Sequence, residues 1–106
     1  GAAVSQARND GSTPLFVACR LGYIDIAKLL RDAGASLNQA MHDGATPLFI
    51  ASQQSHLECA RLLLETGAAI NQADAHGVTP LYIACQKGHL ECAQLLLEAG
   101  AAVNQA

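Results

Sequence analysis

Four cysteines, Cys19, Cys59, Cys85 and Cys92, and two His-Leu-Glu-Cys segments are the groups in this chain whose types and spacing could do chemistry. His56 precedes Cys59 by three residues and His89 precedes Cys92 by three. On a helix that spacing puts imidazole and thiol on one face. Two such side chains are half of a tetrahedral zinc set, and four thiols could instead form two disulfides or a redox pair. Against these readings stands the lack of any Cys-x2-Cys pair and of a second His-x2-Cys pair close in sequence to either segment. The chain also lacks a Gly-x-Ser-x-Gly elbow, a Gly-rich phosphate loop and a His-Glu-x-x-His helix. No catalytic residue, metal site or cofactor is expected.

What must position these groups is a period of 33 residues. Thr13-Pro14-Leu15-Phe16, Thr46-Pro47-Leu48-Phe49 and Thr79-Pro80-Leu81-Tyr82 recur at that interval, as do Gly34, Gly67 and Gly100 and Asn38, Asn71 and Asn104. Residues 44–73 match 77–106 at 22 of 30 positions, whereas 11–40 match 44–73 at 14 of 30, so the first copy is the divergent one. A fixed period of this size implies a repeat architecture. Thr followed by Pro is an N-cap followed by a residue with preset φ, which predicts first helices starting at Pro14, Pro47 and Pro80. They should stop at Gly22, Ser55 and Gly88, where a left-handed residue is wanted, and Ser55 is the departure. Second helices are expected at about 24–33, 57–66 and 90–99, with Asp25, Glu58 and Glu91 in their first turns, where the helix dipole favours acids. Gly34, Gly67 and Gly100 should end them. Within this frame Cys59 and Cys92 share one phase and Cys19 and Cys85 another, both at small apolar helix positions. The four thiols are therefore expected to be structural, in a reducing, intracellular (cytoplasmic) setting. Glu58, Glu65, Glu91 and Glu98 fall on the second helices as solvated carboxylates, with Arg61–Glu65 and Lys28–Asp32 as weak ion pairs.

Of the 106 residues, 51% are hydrophobic and 14% charged, which suits one small globular domain. A chain this size buries roughly 60 to 65% of its unfolded surface, leaving little core from which to cut a deep catalytic cleft. The net charge is −3, and the six basic residues (Arg8, Arg20, Lys28, Arg31, Arg61, Lys87) are scattered. No nucleic-acid footprint and no membrane patch are expected. No stretch reaches the roughly 18 apolar residues of a membrane span.

The pattern Gly-x-Thr-Pro-Leu-x-x-Ala, then Gly-His-Leu-Glu, then Leu-Leu-Leu-Glu-x-Gly-Ala-x-Val-Asn, seen most fully in residues 77–104, resembles the ankyrin repeat, and the resemblance covers essentially the whole chain. Phe16, Phe49 and Tyr82 stand where the family has His, and Ser36, Ala69 and Ala102 where it has Asp, which removes polar links between repeats. The resemblance implies an all-α ankyrin-repeat solenoid of helix-turn-helix units joined by β-hairpin-like fingers. It also implies a protein-binding scaffold rather than an enzyme, with a concave surface of fingertips and first helices. One domain spans 1–106: residues 1–9 as the end of a preceding repeat and finger, then repeats at 10–42, 43–75 and 76–106.

Family register puts the variable, contact-making positions at Asn9, Asp10 and Ser12, at His42, Asp43 and Ala45, and at Ala75, His76 and Val78 on the fingertips. Met41 and Asp74 stand at the finger bases, and Arg20, Leu21, Gln53, Gln54, Gln86 and Lys87 at the ends of the first helices. The expected partner is another protein, bound by a module cut from a longer array. The alternative is an engineered or structural repeat scaffold with no specific partner, and a Cys/His metal or redox role is the third reading. Arg31 replaces a residue that is Leu64 and Leu97 in the other repeats, which predicts a polar outer end on repeat one. Leu95, Leu96, Leu97 and Val103 match the internal Leu62, Leu63, Leu64 and Ile70. The carboxyl-terminal side is thus expected to expose apolar surface and to accept a further repeat or associate weakly with a second copy.

Overall fold

A computed structural model describes residues 2–103. The three Thr-Pro steps each start a helix. Thr13, Thr46 and Thr79 hold extended backbone, and their hydroxyls accept the N–H of Phe16, Phe49 and Tyr82 at 3.2, 3.1 and 3.2 Å. The three prolines follow at the first helical position, where a missing N–H costs nothing. The first helices are α1 (Pro14–Leu21), α3 (Pro47–Gln53) and α5 (Pro80–Gln86), and the second are α2 (Ile24–Asp32), α4 (Leu57–Thr66) and α6 (Leu90–Glu98). A single 3-10 turn, Ala2–Ser5, precedes them. α2 and α6 end one residue earlier than expected, at Asp32 and Glu98, with Gly34 and Gly100 left-handed behind them.

Helices of seven to ten residues do not persist alone in water, so packing must hold them. Each first helix lies against the first helix of the next unit, α1 on α3 and α3 on α5, while each second helix folds back on its own first helix. Leu15, Leu48, Leu63 and Leu96 are fully buried in the resulting core, and Ala18, Ala51 and Ala84 let the helices approach closely. The stack measures 37 × 25 × 20 Å.

Between units the backbone turns as a finger. Arg8, Met41 and Asp74 each donate an N–H to the carbonyl four residues on, of Ser12, Ala45 and Val78, all at 2.9 Å. Neighbouring fingers are joined by His42 N–H to the Asp10 carbonyl (3.2 Å) and Ala75 N–H to the Asp43 carbonyl (2.9 Å). These are hairpin-like turns without regular strands among the described residues. The fold is the all-α solenoid that the resemblance implies.

The turn inside each unit needs a left-handed residue, supplied by Gly22 (φ 77°), Ser55 (φ 60°) and Gly88 (φ 74°). Ser55 carries a Cβ where that conformation costs about 1–2 kcal/mol. Gly22 is constrained further, since an added Cβ would lie 2.7 Å from His56 Nδ1. Ser55→Gly should stabilise the chain by about 0.5–1 kcal/mol, and Gly22→Ala should destabilise it by about 1–2 kcal/mol. Urea unfolding followed by circular dichroism checks both, and a Ser55→Gly protein no more stable than wild type would show that this turn carries no strain.

Candidate partner-binding surface

The groups that could do chemistry are spent on joining units. His56 Nε2 lies 3.1 Å from the Arg20 carbonyl oxygen and His89 Nε2 lies 3.0 Å from that of Gln53. A carbonyl only accepts, so each imidazole carries its proton on Nε2. Each histidine thus reaches back to the preceding unit instead of sharing a ligand with the cysteine three residues on. The cysteines do likewise. A hydrogen bond with the Cys59 thiol, with burial second, pushes the Cys19 thiol well above the ordinary range, and both side chains are buried. Burial pushes Cys92 up against a hydrogen bond with Ser52 that acts the other way. Cys85 departs from the expectation for its phase: it is exposed, because the helix that covers Cys19 and Ser52 has no equivalent beyond α5–α6 among the described residues. No group of three or more His, Cys, Asp or Glu side chains among the described residues could hold a metal ion.

A groove of about 380 Å³ runs along the side formed by fingers and first helices. Phe16, Arg20, Phe49, Ile50, Gln53 and Ile83 supply its helical wall, and Met41, Asp43, Ala45, Asp74 and Val78 its finger wall. Of the expected contact residues, it therefore gathers Arg20, Met41, Asp43, Ala45, Gln53, Asp74 and Val78. Asn9, Leu21, His42, Gln54, His76, Gln86 and Lys87 are exposed outside it. Two expectations of exposure need correction. Ser12 is buried because its hydroxyl and N–H both donate to Asp10 Oδ1, at 2.7 and 2.9 Å, which locks the finger. Ala45 is buried because its N–H is held by Asp43 Oδ1 at 3.0 Å and its carbonyl by Met41, turning its methyl into the core.

The acids of this surface shape it. Asp74 Oδ1 accepts from His76 N–H (2.9 Å) and Val78 N–H (3.0 Å), as Asp10 and Asp43 do for their own fingers. The Ser12 N–H, with its hydroxyl second, holds the Asp10 carboxyl below the usual carboxylate range. The signal for this role was present in Asp10-Gly11 and Asp43-Gly44, since a short acid before Gly bonds its own turn. In the third finger the acid stands two positions earlier, at Asp74.

Of the two ends of the stack, the first differs from expectation and the last exposes apolar surface as expected, though not at every residue named for it. Arg31 does not make the outer end of the first unit polar: the equivalent Leu97 is exposed only in the last unit, so this phase faces the following unit. Arg31 is half-buried there and bonds Asp32 at 3.0 Å, the one ion pair formed among the described residues, in place of the expected Lys28–Asp32 and Arg61–Glu65 pairs. The outer side of the first unit is apolar, with Tyr23, Ile26 and Leu29 exposed. At the carboxyl-terminal side Leu97 and Val103 are exposed as expected, joined by Tyr82 and Leu90, whereas Leu95 is half-buried and Leu96 buried.

A family model described as ankyrin repeats in three copies matches residues 33–106, and another described as ankyrin repeat matches residues 10–41. A search of curated proteins finds no match. No helix among the described residues is long and apolar enough to cross a membrane.

Buried thiols are inert and exposed ones are not. A disulfide reagent should modify one thiol rapidly in the native protein and the other three only on unfolding. Cys85→Ser should remove the rapid phase. A fast phase that survives this substitution, or one worth two or more thiols, would contradict the placement of Cys19, Cys59 and Cys92.

Proposed function

The chain belongs to the ankyrin repeat family, and from that premise we propose that it is a non-catalytic protein-interaction module that holds its partner in the groove between fingers and first helices. Ankyrin repeats are a protein-binding module. The observation that carries the choice of surface is the meeting of half-buried Met41 and Val78 with Arg20 and Gln53 along one groove. Apolar anchors flanked by a guanidinium and an amide are the composition from which binding hot spots are built. The finger backbone is held by Asp10, Asp43 and Asp74, so little conformational entropy is lost when a partner docks. The proposed division is one domain of three repeats, 10–42, 43–75 and 76–106, behind a segment that closes a preceding one. Ser5 supports it, accepting the Ser36 N–H at 2.8 Å as Asn38 accepts that of Ala69. Four cysteines without a disulfide suit a reducing, intracellular compartment.

Immobilised chain should capture a protein from lysate, and Met41→Lys with Val78→Lys should lower that capture at least about tenfold, as expected for losing anchors worth 1.4 kcal/mol or more. Lys28→Glu with Glu65→Lys, on the second helices, should leave it unchanged. Far-ultraviolet circular dichroism confirms that both variants fold. Equal capture by wild type and the groove variant would move the site elsewhere, and capture of nothing at all would favour a scaffold without a partner.

A further inference from the structure

Three features of the junction between the first unit and the second bear on its faces. Ile24 and Leu62 line one groove between α2 and α4, the Cys19 and Cys59 thiols meet, and the Arg20 carbonyl accepts from His56 Nε2. One period on, the second and third recur as Ser52 with Cys92 and as the Gln53 carbonyl with His89 Nε2. In each pair the first member lies on the forward side of one unit and the second on the rear side of the next. Advanced to the last unit, the forward members become Leu90, Cys85 and Gln86. Set back to the first unit, the rear members become Leu29, Ile26 and Tyr23. Leu90 and Leu29 are 68% and 69% exposed, against 5% for the internal Leu62. The two ends are the unused halves of a contact that the molecule already makes twice.

We propose that copies of this 106-residue chain stack head to tail, α5–α6 of one on α1–α2 of the next. Leu90 then packs on Leu29 and Cys85 on Ile26, and the Tyr23 hydroxyl donates to the Gln86 carbonyl where a histidine donates inside the chain. Continuity with the internal junction selects a second copy as the occupant: forward and rear phases match each other, and neither matches itself. Such a heterologous contact leaves a new forward and a new rear face after every addition, so growth continues past the dimer.

A detail of the two ends sets the cost of joining. Residues 1–7, Gly-Ala-Ala-Val-Ser-Gln-Ala, and residues 100–106, Gly-Ala-Ala-Val-Asn-Gln-Ala, differ at one position. Ser5 Oγ already holds the Ser36 N–H at 2.8 Å, at the phase where Asn38 and Asn71 hold those of Ala69 and Ala102 at 2.8 and 3.0 Å. Ser5 thus occupies the N–H that the preceding unit bonds inside the chain, so a copy arriving in the native register displaces the Ala2–Ser5 turn of its neighbour. The amino-terminal segment is thereby a built-in competitor of assembly.

The junction lies away from the finger groove, so it stands or falls separately from the proposed function. Analytical ultracentrifugation up to millimolar concentration should show the wild-type mass rising beyond twice the monomer. Leu29→Glu and Leu90→Glu, both at exposed positions, should each remain monomeric with unchanged circular dichroism, and their equimolar mixture should form a dimer and nothing larger. Ser5→Ala, which weakens the competitor, should shift assembly to lower concentration. Ile26→Cys treated with diamide should give a ladder of linked chains on a non-reducing gel, since its new thiol faces Cys85 of the next copy. A strict monomer, a wild type that stops at dimer, a mixture that does not pair, or an Ile26→Cys protein without a ladder would overturn the head-to-tail junction. Unchanged assembly of Ser5→Ala would overturn the displacement.

Discussion

Everything in this molecule depends on the contact between one first helix and the next. Its helices are too short to be stable singly, and a pair of them buries only part of its apolar surface. The leucines after each Thr-Pro step, Leu15, Leu48 and Leu81, become core residues because a neighbouring first helix lies across them. Nearest-neighbour stacking of this kind makes stability a sum of unit and junction terms. Polar groups enter that sum as connectors. His56 and His89 tie a helix end to the unit behind, Asn38 and Asn71 tie the strip beyond the second helix to the unit ahead, and the fingers exchange backbone hydrogen bonds.

The same contact explains what happened to the reactive side chains. A thiol or an imidazole at a fixed phase of a repeat is first a matter of what lies across the junction from it. Cys59 finds Cys19, Cys92 finds Ser52, and both histidines find carbonyl oxygens. Groups three apart on one helix, which on paper could share an ion, are each satisfied by a different residue of the preceding unit. Cys85 is the exception only because its phase faces forward from the last unit.

Helix starts were legible because Thr-Pro encodes a cap and a preset φ in two adjacent residues, and the helix stops because Gly and Ser55 mark left-handed turns. Both are local signals. The misreadings arose from two causes, a bond inside the finger itself and surroundings that come from another unit. Ser12 and Ala45 vary between repeats, as surface residues do, but each is drawn inward by an acid two positions earlier. Arg31 broke an apolar phase and so suggested an outer end, yet a phase does not say which side of a unit it faces. That direction becomes visible only when burial is compared down the stack, as in Leu29 against Leu62. The groove was half legible: the finger bases and helix ends were named, whereas its helical wall of Phe16, Phe49, Ile50 and Ile83 was not among the expected contact residues.

Substantial contacts between units run only from each to its neighbour. Tension applied at the two ends must therefore cross every junction in series, with no comparable contact among the described residues from the first unit to the third to share it. Elastic compliances in series add, so the stack is softer along its axis than any single helix pair. When it gives, it gives at the weaker junction while the other keeps its grip, and the molecule lengthens in steps of one unit.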